Sequence, residues 1–280
     1  MSLIWIIAAG LAIVLGGLLI ASFTPAIFPA QGSTQSIQVD NLFRFMLAIG
    51  GSIFLLVNGV LLYSVIRFRA RKGDNSDGPP IHGNTTLEFT WTVIPAVIVL
   101  ILTIYSFQVW QSIRAPQPNE QTVNVVGQRF VWSFNYAITE KTLPQGVTMD
   151  QLPQASKDLV TSGKALFTSS QMGTWVNQPV HALLDSLDVN HAFWVPGMRV
   201  KQDLLAGRET DIRFTPSQPG TYRIECAELC GPGHGTMAGS LGGPDNTVLM
   251  GSWLIVYPDE QTFLREFYDP QAAAVLFPRV

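Results

Sequence analysis

Three long apolar runs, almost free of charged residues, dominate the first 114 residues of this 280-residue chain. They extend over residues 3–23, 45–66 and 89–110. Each run reaches the roughly 20 apolar residues that an α-helix needs to cross a bilayer. The pattern therefore predicts transmembrane helices in this part of the chain.

A basic loop separates the second run from the third. It reads RFRARKGDNSDGPPIHG and contains Arg67, Arg69, Arg71 and Lys72. The positive-inside rule places such a loop in the cytoplasm, so everything after Arg114 is expected on the opposite side of the membrane.

The first run, residues 3–23, fits two structures. It is either an uncleaved third transmembrane helix or a processed leader that ends near residues 28–30. The hydrophobic region of a leader is typically about 7–15 residues long, so the length of the run favours the helix.

Beyond residue 114 the apolar residues occur in short β-rich segments separated by Gly, Pro, Asn and Asp. This pattern is typical of an antiparallel sandwich or barrel. Residues 148–170 differ, because they are polar with a helical period around Leu159 and Leu166, and we predict an inserted short helix there. A terminal helix is predicted within residues 258–277. The β-rich segments are 122–138, 180–189, 209–216, 220–229 and 251–257.

These patterns predict a membrane-anchored all-β protein in three parts. Residues 1–40 form a hydrophobic segment and linker, residues 41–114 a transmembrane hairpin with a cytoplasmic loop, and residues 115–280 an extracytoplasmic domain. The last part contains 16 acidic and 11 basic residues, which argues against a nucleic-acid partner and is compatible with a basic protein partner.

The stretch ECAELCGPGHGTM contains the only two cysteines, Cys226 and Cys230, followed by His234 and Met237. One interpretation is a disulfide, because the domain faces an oxidising compartment. In a regular strand the two residues would lie about 13 Å apart, so a disulfide requires the chain to fold back. The other interpretation is a metal site, since two thiolates, an imidazole and a thioether are soft ligands that suit copper. Only the metal site accounts for the histidine and the methionine.

A further imidazole ligand is expected from elsewhere in the chain, which has four histidines. His82 lies in the cytoplasmic loop, and His181 alternates with apolar neighbours as a strand residue does. His191, in DVNHAFWVPG, lies where a strand is expected to give way to a loop. We select His191 by this elimination.

DVNHAFWVPG and CAELCGPGHGTM together resemble the dinuclear copper motif, called CuA, of subunit II of haem-copper cytochrome c oxidases. The resemblance covers roughly residues 40–257, and GRETDIRFTPSQPGTYRIECAELCGPGHG is especially similar to the cyanobacterial branch. It implies a cupredoxin-like Greek-key β-barrel behind the helices. It also implies a chain that holds no haem or oxygen site of its own.

The resemblance implies a function in respiratory electron transport. Electrons would come from a soluble donor, a c-type cytochrome or plastocyanin, and pass to haem in subunit I, where oxygen is reduced to water and protons are pumped. Subunits I and III are the implied partners. The implied location is the bacterial cytoplasmic or thylakoid membrane, with the C-terminal domain periplasmic or lumenal.

The resemblance also implies a role for each residue of the motif. Cys226 and Cys230 would bridge the two copper ions, and His191 and His234 would each bind one. Met237 and the backbone carbonyl of Glu228 would be weak ligands, and the Glu228 side chain would help to hold magnesium at the boundary with subunit I. Asp188 would orient the loop or the His191 ring.

The chain differs from the family motif at the residue that is expected to receive electrons from the donor. The family motif reads approximately G-x-Q-W-x-W-S, and its first Trp is the entry point, whereas this chain reads GQRFVWSF. Trp132 and Ser133 match, but Phe130 replaces the first Trp. Either the donor docks differently or Trp132 takes its place; both aromatics also fit an ordinary β-domain core.

Glu88, in LEFTWTVIP, resembles the glutamate at the entrance of a proton pathway into subunit I, with Trp91 and Pro95 in register. An ordinary alternative is a carboxylate that interacts with the helix dipole.

Two other functions share parts of this pattern. One is the CuA subunit of a nitric oxide reductase-like complex, and the other is a copper storage or assembly protein. Nitrous oxide reductase is disfavoured by the membrane hairpin and Glu88, and a quinol oxidase subunit by the presence of every copper ligand. Storage proteins favour open sites rich in Met or His, unlike two thiolates in a β-scaffold.

Overall fold

The computed structural model describes residues 3–69, 73, 80, 83–242 and 248–278, with the backbone alone at 242 and 248–250. The chain divides into two compact units. The first comprises residues 1–28 and 38–112, and the second comprises residues 29–37 and 113–280. The short segment 29–37 therefore belongs with the β-rich part of the chain.

Four helices form the N-terminal part: α1 (Leu3–Ser22), α2 (Thr24–Ile27), α3 (Thr34–Arg67) and α4 (Thr85–Arg114). The spans Leu3–Ile27, Thr34–Arg67 and Thr85–Arg114 are long and apolar enough to cross a membrane. Few of their residues are buried and most of their large apolar side chains are exposed, as expected of surfaces that face lipid or other subunits. The predicted helices are confirmed, including one in the first apolar run. Arg71, Lys72 and His82 lie outside the described residues.

Helix α1 packs closely against α3 at Gly17. A Cβ atom at this position would lie 2.4 Å from the Ala48 carbonyl oxygen and 2.1 Å from Ser52 Oγ. Only glycine permits this approach of two membrane helices, which is how small residues promote packing in a bilayer. The first apolar run thus forms part of the helical unit.

The second unit consists mainly of short strands, as predicted. Its first part contains β1 (Gln121–Gln128), β2 (Val131–Ala137), α5 (Gln154–Thr161), β3 (Leu166–Ser169), β4 (Met172–Trp175), β5 (Val180–Ser186), β6 (His191–Val195) and β7 (Val200–Leu204). Its second part contains β8 (Thr210–Phe214), β9 (Gly220–Arg223), β10 (Glu225–Cys226), β11 (Ser240–Gly242), β12 (Val248–Met250) and β13 (Trp253–Tyr257). The chain continues through α6 (Glu260–Phe263), a π-helical turn (Leu264–Tyr268) and α7 (Asp269–Leu276).

The strands form a five-stranded sheet in the order β3-β2-β1-β5-β8 and two three-stranded sheets, β10-β6-β7 and β4-β13-β9. A two-stranded pair, β11-β12, completes the set. Large apolar side chains such as Phe134, Phe193 and Leu254 fill the core between them and are fully buried. The fold class predicted from the sequence, apolar helices followed by a β-domain, is confirmed.

Three details differ from the sequence prediction. The sheets are mixed, because β1 pairs in parallel with β5 and β4 in parallel with β13. The long connection through α5, β3 and β4 returns the chain in the same direction beside β1, which a tight hairpin cannot do. The inserted helix is present as α5, but it ends at Thr161, and Leu166 begins strand β3.

The segment 29–37 is tied to the β-domain by several hydrogen bonds. The Gly32 N–H donates to the Gly197 carbonyl at 2.8 Å, and the buried Ser33 hydroxyl donates to the Met198 carbonyl at 2.7 Å. The Thr34 N–H donates to the Thr215 carbonyl at 3.0 Å. This segment therefore braces the turn that follows strand β6, the strand on which His191 lies.

Candidate metal centre

Two short strands bring the central residues of the candidate site together. Strand β10 pairs antiparallel with β6, and this register places Cys226 opposite Phe193. The Ala227 N–H then donates to the Ala192 carbonyl at 3.0 Å, which continues the pairing beyond β10. Cys226 thus reaches His191, although 35 residues separate them in sequence. His191 begins strand β6, so its predicted position at the end of a strand was wrong.

The two cysteines are close but not bonded. Both are free and buried, and their sulfur atoms lie 4.0 Å apart. The chain turns directly after Cys230, with a positive φ of 132° at Gly231. Only glycine adopts that backbone conformation readily, so Gly231 allows the loop to return towards the site.

Each thiol faces one imidazole and one weaker donor. Cys226 Sγ lies 3.7 Å from His191 Nδ1 and 3.2 Å from the Glu228 carbonyl oxygen. Cys230 Sγ lies 3.5 Å from His234 Nδ1 and 3.5 Å from Met237 Sδ. The donors therefore form two similar sets around a shared pair of sulfur atoms. His191, Cys226 and Cys230 alone already place their ligand atoms within 4.8 Å of one another.

A short 3₁₀ turn, His234–Met237, supplies the second imidazole and the thioether. The His234 N–H donates to the Gly231 carbonyl at 3.0 Å, and the Thr236 N–H donates to the Gly233 carbonyl at 2.9 Å. These bonds fix the loop, and Met237 is buried beneath it. The spacing of Cys230, His234 and Met237 is thus local geometry that the sequence itself encodes.

Asp188 holds the His191 ring. Its Oδ1 accepts a hydrogen bond from His191 Nε2 at 2.9 Å, which leaves Nδ1 as the ring atom that faces Cys226. Burial opposes ionisation of the carboxyl group. Hydrogen bonds from the Arg129 backbone, His191, the Val189 backbone and the Arg129 side chain outweigh burial and hold the pKa of Asp188 well below its usual range.

Burial also affects the Cys230 thiol. It raises the pKa of Cys230 to about 11, and the neighbouring Cys226 adds to the effect. Without a metal ion, the Cys230 thiol is therefore neutral at physiological pH. A soft metal ion must displace this proton to bind the sulfur atom.

The two aromatic residues considered for electron entry lie at different depths. Phe130 is half-buried, and its ring lies against the loop between Cys230 and His234; a Cβ atom at Gly233 would be 2.4 Å from it. Trp132 is fully buried, with its ring centroid 6.0 Å from that of His191. A cavity of about 240 Å³ lies beside Phe130, Trp132 and Met237. Of these two aromatics, only Phe130 is accessible to a partner protein.

The remaining predicted residues lie apart from the thiols or point elsewhere. The Glu228 side chain and its neighbour Leu229 are exposed. Glu88 belongs to the helical unit, where its Oε1 accepts a hydrogen bond from the Asn84 N–H at 3.3 Å and so helps to cap α4. His181 lies in strand β5, as predicted, and pairs with Asp211 at 3.1 Å.

Two residues that the sequence did not single out as site residues support the site. Arg129 contacts Asp188 through its backbone and its side chain. Gly127 makes room for the His191 ring, since a Cβ atom there would be 3.1 Å from it. Of these two residues, only Arg129 could have been noticed in the sequence, because it lies next to Phe130 in the electron-entry motif.

Comparison with known families gives two matches. Residues 21–109 match the transmembrane domain of cytochrome c oxidase subunit II, and residues 121–241 match its periplasmic domain. Cytochrome c oxidase subunit 2 of Synechocystis sp. is 36% identical over 232 residues, which are 75% of this chain and 70% of that protein. The same subunit of Thermostichus vulcanus is 34% identical over 261 residues, 84% of this chain and 79% of that protein.

One solved structure was also matched. The periplasmic domain of subunit II of cytochrome oxidase of Bradyrhizobium japonicum covers 57% of this chain and 98% of its own length, with 20% identity and a TM-score of 0.38. The family assignment is made on the sequence matches alone.

These matches confirm the resemblance to subunit II and its similarity to cyanobacterial sequences. With the apolar helices, they also confirm a membrane protein whose C-terminal domain lies on the outer side. The chain therefore belongs to the cytochrome c oxidase subunit II family and is a component of an oxidoreductase complex.

Proposed function

We propose that this chain is the electron-entry subunit of a cytochrome c oxidase. It would accept single electrons from a soluble donor and pass them to haem in subunit I, where oxygen is reduced and protons are pumped. Its copper-binding residues would be Cys226, Cys230, His191 and His234, with Met237 and the Glu228 carbonyl as weak ligands.

The observation that carries this proposal is the paired donor set. Two sulfur atoms 4.0 Å apart each have their own imidazole and their own weaker donor. A single-copper site needs one such set, whereas two sets around shared thiols suit two copper ions. Copper ions held by these residues would supply a carrier for single electrons.

The protein's own contribution is rigidity and exclusion of water. His191, Cys226, Cys230 and Met237 are all buried. Asp188 fixes the orientation of the His191 ring, and the 3₁₀ turn fixes His234. A rigid cage changes little on reduction, which favours fast electron transfer.

The exposed tip of the ligand loop supports contact with another subunit. Leu229, in the loop between the two buried cysteines, is 80% exposed. The adjacent Glu228 side chain is exposed as well, and we propose that it helps to hold magnesium at the boundary with subunit I. Subunit III is a further expected partner, and the membrane helices supply broad apolar surfaces for assembly.

The test of this function is the spectrum of the copper-loaded full-length chain. We expect two copper ions per chain and an electron paramagnetic resonance signal from one electron shared equally by two copper nuclei. A single-copper signal, or a Cys226–Cys230 disulfide without copper, would contradict the proposal.

Copper uptake should depend on pH. The raised pKa of Cys230, about 11, means that copper binding releases a proton at any pH below this value. Apparent affinity should therefore rise as pH rises, by about tenfold per pH unit for each proton displaced, and level off once the thiol is ionised. Proton release during copper titration in weakly buffered solution measures this directly, and release of no proton between pH 6 and 8 would contradict it.

Electron entry should depend on Phe130. Replacing Phe130 by alanine removes the half-buried π-surface that covers the ligand loop, and we expect slower reduction by the donor with an unchanged copper spectrum. Phe130→Trp should accelerate reduction, since the adjacent cavity of about 240 Å³ offers room for the indole. Val131→Ala, at a neighbouring exposed position, is the control. Stopped-flow kinetics distinguishes these variants, and equal rates in all of them would exclude Phe130 as the entry point.

A further inference from the structure

Arg129 lies between strands β1 and β2 and contacts both loops that carry the predicted ligands. Its backbone N–H and its Nε both donate to Asp188 Oδ2, at 2.9 and 3.1 Å. Its side chain also lies near the Cys230–His234 loop, since a Cβ atom at Gly231 would be 3.7 Å from Arg129 Cδ.

The Asp188 carboxylate is fully occupied by these contacts. Oδ2 accepts the two bonds from Arg129, while Oδ1 accepts from the Val189 N–H at 2.7 Å and from His191 Nε2 at 2.9 Å. The guanidinium is the one cationic group that the described part of the chain places against Asp188. An unbroken chain of contacts therefore runs from the half-exposed Arg129 to a completely buried imidazole.

We propose that Arg129 is a positioning residue for the copper centre. Its guanidinium locks Asp188 in the orientation that directs His191 Nδ1 towards Cys226, and its positive charge offsets that of the carboxylate beside the ligand. This inference rests on the proposed function, because it requires His191 to be a copper ligand.

The contact differs from an ordinary surface ion pair, which contributes little. The Asp188 side chain is only 17% exposed, and the imidazole on its other oxygen is 0% exposed. Loss of the guanidinium should therefore change the orientation of the buried His191 ring, because no water surrounds the imidazole to replace the lost contact. Partners of this kind typically change metal affinity by about 10–100-fold when they are removed.

The test uses the full-length chain in detergent, with variants Arg129→Gln and Arg129→Lys. Arg265→Gln is the matched control, because Arg265 forms an exposed ion pair with Glu266 on the C-terminal helical segment. Glutamine removes the charge and replaces the charged Nε donor with a neutral amide donor, which makes a weaker hydrogen bond to Asp188. Lysine keeps the charge, and the backbone bond remains in both variants.

Three measurements test the role of Arg129. In Arg129→Gln we expect a lower reduction potential, because a positive charge no longer disfavours the oxidised centre, and copper release about tenfold faster. In the metal-free chain, nitrogen NMR of the histidine rings should show a weakened His191 Nε2–H hydrogen bond. Arg129→Lys should retain the potential, and Arg265→Gln should match the native chain in every readout.

Native values for the potential, copper release and ring signals in Arg129→Gln would overturn the inference. If the native chain holds a dinuclear centre and Arg129→Gln is unchanged, only the role of Arg129 fails. If the native chain forms no dinuclear centre, the proposed function itself fails, and the two results are distinguishable from one set of spectra.

Discussion

Replacing Cys226 by serine should eliminate the shared-electron copper spectrum and reduce donor oxidation in the assembled oxidase by roughly 100-fold or more. The expectation follows from geometry, since Cys226 Sγ lies within 4.0 Å of the other thiol and of His191 Nδ1. Loss of this atom removes a donor from both metal positions at once. Mutation of a residue that hydrogen-bonds to a metal ligand typically costs about 10–100-fold in metal affinity or activity. Removal of a ligand that both copper ions share should therefore cost more.

Two measurements separate this effect from misfolding. The variant should keep the far-ultraviolet circular dichroism of the native chain, because Cys226 makes no disulfide whose loss would destabilise the domain. Met237→Leu should retain two copper ions with an altered potential, while Met172→Leu, at an equally buried methionine in strand β4, should behave as the native chain does. A native copper spectrum in Cys226→Ser would show that the sulfur atom bridges nothing.

Length and local spacing made much of this molecule predictable from sequence. The membrane helices follow from run length alone, because few other structures accommodate 20 or so consecutive apolar residues. The proposed ligands Cys226, Cys230, His234 and Met237 lie within one loop of 12 residues, so their proximity depends on local chain geometry. His191 could be selected as a candidate ligand from the sequence only because the chain has four histidines.

Strands that are buried on both faces were not predicted from the sequence. Strand β6 is buried at four of its five positions, and β4 is buried at its first three. Neither shows the alternation that identifies a half-buried strand, so their sequences resemble loops or irregular core. The β1–β2 hairpin was hidden for another reason, since Arg129 and Phe130 occupy its turn and give none of the usual Gly, Pro or Asn signals.

The contact between Arg129 and Asp188 is a clearer example of a feature that one sequence does not predict. The two residues are 59 positions apart, and the parallel pairing of β1 with β5 brings them together. One sequence contains no period or spacing that predicts such a pairing, because the partner strand is chosen by the packing of the whole domain. Residues that orient a ligand are therefore harder to predict than the ligands themselves.

Replacing Glu88 by glutamine in the assembled oxidase should remove most of the turnover and leave the copper centre unchanged. Glu88 Oε1 accepts a hydrogen bond from the Asn84 N–H, and the glutamine amide oxygen can accept the same bond. The cap of α4 therefore survives, while the carboxyl group that can carry a proton is lost. An ionisable group at the end of a membrane helix is a candidate for proton transfer on general grounds.

The matched control removes the cap and keeps the carboxyl group. The Asn84 side chain accepts a hydrogen bond from the Leu87 N–H at 3.2 Å, so Asn84→Ala should lower stability by about 1 kcal/mol with turnover near native. Glu88→Asp should retain part of the turnover, because it keeps a carboxyl group. Steady-state oxygen consumption and the rate of copper reduction by the donor separate the two steps. Native turnover in Glu88→Gln would remove Glu88 from any proton pathway. Equal losses in Glu88→Gln and Asn84→Ala would mean that turnover depends on the start of α4 and not on the carboxyl group.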